Sequence, residues 1–261
     1  MKNSKEYAEK IKKLHRALKR SAKKVTSVSY DDPVEAVIYG ILSEKASERQ
    51  AQTAWKRCKK HFVDLNDLRV ARPDEIYDLF GKETEEIREM GLVLAKVLFA
   101  VFDKHHEMTL SSLHDMGKRQ ARQELEELNG MPRFALGYCM LMGLDAHAIP
   151  VTDRMIQYLQ AHELVDPKAD GATIEGFLAK QIGAKDTMAF YAMLRQESES
   201  ASFKKVAKKK TAKKTAEKVI KKVTKKKTEI KAVKKTDAVK KTTKKAAKKA
   251  AKKATKKKSK K

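Results

Sequence analysis

Residues 118–142 read KRQARQELEELNGMPRFALGYCMLM. The first ten are polar with a helical pattern, and Asn129-Gly130 breaks them, since this pair favours turns over continued helix. From Arg133 to Met142 the chain is a compact apolar helix. The stretch therefore predicts a helical hairpin around Leu128-Asn129-Gly130-Met131-Pro132-Arg133. A turn of this kind can direct backbone N–H groups at the start of its second helix towards a phosphate. A short loop then leads to Ile149-Pro150-Val151-Thr152-Asp153-Arg154, which opens another helix.

The chain outward from the hairpin continues in the same style. Asp32-Pro33 is an N-cap followed by proline at the first helical position, opening a helix through Ile41. Ser47 with Gln50 forms a capping box for a helix carrying Trp55 and Phe62. Pro73-Asp74-Glu75 opens a short helix to Phe80. A turn beginning at Thr84 is interrupted by Gly91 before the apolar run Leu92 to Phe102. Residues 152–161, 172–182 and 186–196 complete a set with no alternating strand pattern. The expected fold class is all-α.

Charge divides the chain into three segments. From Phe203 onward there are 29 lysines against Glu217, Glu229 and Asp237, which equals the +26 of the whole chain. Residues 1–26 are net +8, and residues 27–202 balance them at −8. The expected organisation is a basic N-terminal helix or arm over 1–26, a helical domain over 27–200 and a basic tail over 201–261. Residues 4–24 carry an apolar stripe, Tyr7, Ile11, Leu14 and Leu18, on a lysine-rich helix. That helix either docks on the body or serves as a nucleic-acid-facing arm.

The tail is mainly Lys, Ala, Thr and Val, and cannot bury a core, so it is expected to be disordered alone. Lysine is a point charge suited to phosphate oxygens, whereas base edges are usually read by arginine's fork. The tail has no arginine and no aromatic after Phe203. Its expected chemistry is sequence-independent phosphate binding through Lys208, Lys209, Lys210, Lys248, Lys249, Lys252, Lys253, Lys256, Lys257 and Lys258. Counterion release then makes binding steeply salt-dependent, with a log–log slope of about −0.9 per phosphate neutralised.

Only two cysteines, Cys58 and Cys139, occur, too few for a disulfide framework or a four-cysteine iron–sulfur or zinc site. No metal or small-molecule cofactor is expected. No run reaches the ~18 apolar residues of a membrane span, and the N-terminus lacks an apolar leader core. These features lead to the expectation of a cytoplasmic, nucleoid-associated monomer (nuclear if eukaryotic).

The order and spacing of these motifs resemble the helix–hairpin–helix DNA glycosylase superfamily, the endonuclease III-like group, over about residues 30–165. That family shows L-P-G-V-G-x-x-T-A followed by V-D-x-H. Asp32-Pro33-Val34-Glu35-Ala36 through Ile41-Leu42-Ser43-Glu44-Lys45-Ala46-Ser47 resembles its P-F-E-x-L…L-S-x-Q-x-T. Ile87 to Lys96, with Met90-Gly91-Leu92, resembles its I-x-x-x-G-L-x-x-x-K. The tail is similar in composition to linker-histone and bacterial histone-like tails.

The resemblance implies duplex DNA as partner, with hairpin contacts from Leu128, Gly130, Met131 and Arg133. Lys45 stands where the family inserts a glutamine beside the flipped base, and could fill a gap or touch phosphate. An ungapped alignment puts Thr152 in the column of the catalytic aspartate. A one-residue loop insertion puts Asp153 there, with Ile156 and Leu159 on the apolar positions, and Asp153 is the preferred equivalent. Either residue could instead simply cap the next helix. Trp55, Phe134, Tyr138 and His147 are candidates for a base pocket, and each is also an ordinary packing residue.

Two departures bear on the chemistry. Pro132 replaces the hairpin's second glycine and removes one N–H donor. Phe134 stands where bifunctional members carry a lysine nucleophile. The expected activity is therefore monofunctional hydrolysis of the N-glycosidic bond of damaged bases, without strand cleavage. The alternatives are a catalytically inactive, architectural (histone-like) DNA-binding protein and an interaction module delivered to DNA by its tail.

Overall fold

A computed structural model describes residues 4–21, 30–81 and 84–200. The first half of the body contains α1 (Ser4–Ser21), α2 (Pro33–Glu44), α3 (Glu48–His61), α4 (Leu65–Val70), α5 (Pro73–Phe80) and α6 (Glu85–His105). The second half holds α7 (Lys118–Glu126), α8 (Arg133–Tyr138), α9 (Asp153–Ala161), α10 (Gly171–Gln181) and α11 (Thr187–Ser200). Among the described residues there is no strand, and the class is all-α. The chain divides into one unit spanning Met1–Phe203 and another spanning Lys204–Lys261, and the second lies outside the described residues.

α2 is the axis of the body, with ten of its residues buried, from Pro33 to Ser43. It starts as its sequence suggests. The Asp32 carboxylate accepts from the Val34 N–H at 2.8 Å, and Pro33 occupies the first turn, where a missing donor is harmless. The same carboxylate also accepts from the Leu110 N–H at 3.0 Å and from the Thr109 hydroxyl, tying the start of α2 to the loop after α6. Gly40 lets α2 approach α8 backbone to backbone. A Cβ there would lie 2.8 Å from the Cα of Ala135, inside contact distance.

Ser47 and Gln50 form the expected capping box at α3. The expected interruption at Gly91 does not occur, because α6 runs unbroken from Glu85 to His105. Gly91 is buried within it beside α5, where an added Cβ would meet Ile76 and Tyr77 at the ordinary van der Waals distances of 3.5 and 3.6 Å, so glycine is accommodated inside the helix without being required by the contact. The apolar stripe of α1 docks on the body, with Ile11 and Leu18 buried and the helix packed on α10 and α11. Lys19 pairs with Asp186 at 2.7 Å on the same side. Docking on the body, the first of the two readings of residues 4–24, therefore describes α1. Among the described residues no helix is long and apolar enough to cross a membrane.

Candidate active site

The hairpin joins α7 to α8. The Met131 N–H donates to the Leu128 carbonyl at 3.1 Å, and Gly130 turns the chain at φ +86°, a conformation that L side chains rarely adopt. A side chain at Gly130 would also meet Lys96 of α6, whose Cδ would be 2.7 Å from the added carbon. α8 opens at Pro132 with no side-chain cap, and its first hydrogen-bonded amide is Leu136, donating to Pro132 at 2.9 Å. The N–H groups of its first turn are thus free of helix bonds, as at any helix start. α8 continues into a π-helical turn over Cys139–Gly143, closed by the Leu144 N–H on Cys139. Both cysteines are buried, and burial pushes each thiol up to about 12, so neither is a ready nucleophile.

Arg133 bonds inward. Its guanidinium pairs with Glu175 of α10 at 2.9 Å, and the other Glu175 oxygen accepts from the Val151 N–H at 3.1 Å. Glu175 therefore links the hairpin to the loop that precedes α9. Burial raises its pKa, against the pull of Arg133 and the Val151 amide.

That loop ends on Thr152 and Asp153, and the two have different surroundings. Thr152 is buried, and its hydroxyl accepts from the Met155 N–H at 3.2 Å, so it is the N-cap of α9. Asp153 is the first helical residue. Its side chain is 63% exposed, and its Oδ2 accepts from the Lys45 ammonium at 2.7 Å. Lys45 is the C-cap residue of α2, at the corner before α3. Two candidates 108 positions apart thus meet at one surface corner. The hydrogen bond that Lys45 donates to Asp153 raises the pKa of Lys45 against partial burial, with Glu44 and Glu89 adding to the effect. Glu44 itself is held above the ordinary carboxyl range by burial.

Of the four candidate pocket residues, Phe134 and Tyr138 lie together, with ring centroids 6.1 Å apart, and Trp55 and His147 have other neighbours. Phe134 and Tyr138 are buried beneath the corner in an aromatic cluster: Tyr138 stacks on Tyr39 at 5.4 Å, and its hydroxyl shares a 2.9 Å hydrogen bond with that of Tyr30. Trp55 lies under the Lys59 ammonium, 4.7 Å from the ring centroid, and lines a groove of about 250 Å³ with Glu35, Phe62 and Leu68. The Nε2 of His147 lies 2.9 Å from the Ile182 carbonyl. An open groove of about 520 Å³ runs beside the hairpin turn, lined by Lys96, Phe99, Leu128 and Asn129 among others. The candidate tail lysines from Lys208 to Lys258 fall outside the described residues.

Sequence reasoning missed the residues that build the corner. Arg195 of α11 is 3% exposed and reaches across the body. It donates to the carbonyls of Ser43 at 2.7 Å and Ala46 at 3.0 Å, on either side of Lys45, and to the Tyr191 hydroxyl at 3.1 Å. Its Nε lies 3.1 Å from both Glu48 and Glu199. Arg154, next to Asp153, donates to the carbonyls of Ser198 and Glu199, each at 2.8 Å. Arg195 in α11 and Arg154 in α9 belong to no motif, and only their partners reveal them.

No protein-family model and no curated protein matches the chain. Solved structures do match. A non-covalent endonuclease III–DNA complex aligns at TM-score 0.57 and 13% identity, over 80% of this chain and 91% of that one. The 8-oxoguanine glycosylase/lyase of Clostridium acetobutylicum, in complex with double-stranded DNA, aligns at 0.55 and 14%, over 74% and 70%. The 3-methyladenine DNA glycosylase of H. pylori, bound to 1,N6-ethenoadenine, aligns at 0.53 and 11%, over 77% and 99%. The fold of this chain is that of the helix–hairpin–helix DNA glycosylases.

Proposed function

We propose that this protein is a monofunctional DNA N-glycosylase that hydrolyses the N-glycosidic bond of damaged bases in duplex DNA. The observation that carries this reading is the state of Asp153. In a glycosylase fold, it is an exposed carboxylate at a helix start whose capping role is already filled by Thr152. An enzyme acting on a base inside a duplex must flip it out, at a cost of a few kcal/mol that is smallest for damaged or mispaired bases. The sugar then passes through an oxocarbenium-like state, which a nearby carboxylate stabilises while orienting the attacking water.

Lys45 shields that carboxylate in the free protein. An exposed pair of this kind is worth only about 0.2–1 kcal/mol, so a DNA phosphate can compete for the ammonium and leave Asp153 available. The buried Phe134, standing where bifunctional enzymes carry a lysine, favours hydrolysis without Schiff-base chemistry. The tail supplies sequence-independent affinity, and the body supplies whatever selectivity exists.

The test is the appearance of abasic sites on a panel of alkylated, oxidised and deaminated duplexes, and their loss in Asp153→Asn. A panel that yields no abasic site overturns the enzymatic reading. One observation favours a second reading, an inactive architectural DNA-binding protein: Asp153 is already neutralised by Lys45 at 2.7 Å. Removing residues 203–261 should lower DNA affinity at low salt by orders of magnitude, and an unchanged affinity and salt slope would refute the tail's role under either reading.

A further inference from the structure

The corner that brings Lys45 to Asp153 is not built by the elements that carry them. α2 ends at Glu44 and α9 begins at Asp153, and each is fastened at that point to the last two turns of α11. On one side, Arg195 donates to the carbonyls of Ser43 and Ala46, bracketing Lys45. A guanidinium can do this because its fork presents several N–H groups in a rigid plane, which an ammonium cannot reproduce. On the other side, Arg154 donates to the carbonyls of Ser198 and Glu199. Glu199 closes the arrangement, since its carboxylate accepts from the Glu48 N–H at 2.9 Å and also faces Arg195 at 3.1 Å.

We infer that Arg195 and Arg154 are positioning residues, which use the C-terminal turns of α11 as a brace to set the placement of Asp153 against Lys45. The inference rests on the glycosylase reading for its catalytic consequence, although the geometry of the brace does not. The carbonyls that accept these bonds belong to a helix end and a loop, where helix bonding leaves C=O groups unsatisfied. Buried Arg195 supplies the donor for those of Ser43 and Ala46 and is neutralised by Glu48 and Glu199. Tyr39 adds a hydroxyl to Glu48 at 2.5 Å and fixes that carboxylate from below. The brace thus reaches from the aromatic cluster under the corner to the exposed pair above it.

The test uses the full chain with Arg195→Lys and Arg154→Gln, each kept only if its far-ultraviolet circular dichroism and cooperative melting match the parent. Arg154 is exposed, so its variant should fold even if the buried one does not. Two readouts are taken. Nitrogen-detected NMR follows titration of the Lys45 ammonium, which faces Asp153, Glu44 and Glu89. Single-turnover and steady-state kinetics follow a duplex carrying the lesion on which the parent is active.

The expected result is that Lys45 titrates nearer the ordinary lysine value in both variants. At the same time kcat should fall roughly 10- to 100-fold with KM within about twofold, the range a misplacement of about 1 Å produces. A folded variant in which Lys45 titrates as in the parent overturns the brace. A shifted titration with unchanged kcat overturns its catalytic consequence. If the parent acts on no lesion, the proposed function fails, and the NMR readout still decides for or against the brace.

Discussion

The hairpin at 128–133 is a short connection and the corner at 45–153 a surface meeting of two distant segments, and they are held in opposite ways. The hairpin is shaped mainly by neighbours in sequence, with Gly130 at positive φ and a Met131-to-Leu128 bond. The corner depends on side chains 108 to 152 positions distant, and its own sequence has little turn chemistry. A local turn can be read from residue types, because its φ/ψ requirements select them directly. A corner fixed from afar can be read only once the distant helix is in place. The difference also separates cost from chemistry. The stabilising contacts lie beneath the corner, and the exposed pair on top is thermodynamically cheap.

That contrast can be broken at several points. The largest effect is expected from Arg195→Ala, which leaves Glu48 and Glu199 without their buried partner and frees the Ser43 and Ala46 carbonyls. A loss of about 3–5 kcal/mol in urea unfolding is expected, and a loss under ~1 kcal/mol would mean the corner does not depend on α11. Next comes Glu175→Ala at the hairpin, which unpairs Arg133 and leaves the Val151 N–H unsatisfied, at about 1–3 kcal/mol. Glu175→Gln retains an acceptor for Val151 and should cost less by the same measurement. Gly130→Ala should cost about 1–2 kcal/mol from its left-handed backbone, less if the flexible end of Lys96 moves aside.

The smallest stability change belongs to the residue with the largest proposed role. Asp153→Asn should alter stability by less than about 1 kcal/mol, as for other exposed pairs, while abolishing abasic-site formation. The pH dependence has a defined sign. The folded pKa of Lys45 is raised by its bond to Asp153. The pair's contribution is therefore fully present below the ordinary lysine value and lost as pH rises through the folded one. Asp153→Asn should flatten the alkaline end of the stability profile and lower the NMR-observed pKa of Lys45. An unchanged pKa would mean that the pair is not maintained in solution.

The sequence by itself was enough for the all-α class, the Asp32-Pro33 and Ser47–Gln50 helix starts, the hairpin and the likeness in motif order to the glycosylases. Each of these rests on local rules of capping, turn geometry and periodicity, which operate within a few residues. It misplaced a break at Gly91, because glycine in a helix reads as an interruption, whereas in the fold Gly91 is a buried position of a helix that packs on α5 and runs on through it. It also offered Trp55, Phe134, Tyr138 and His147 as pocket or packing residues by type, and only the tertiary structure gives each its neighbours: Lys59 over Trp55, the tyrosine cluster around Phe134 and Tyr138, and the Ile182 carbonyl at His147. Sequence preferred Asp153 to Thr152 by register alone, and either residue could cap a helix. Their burial, and the arrival of Lys45 from the far side of the chain, distinguish them in the fold. Arg195, Arg154, Glu175 and Glu199 carried no sequence signal at all. A charged side chain becomes part of a site through the partners it meets, and those partners are assembled only when the helices pack.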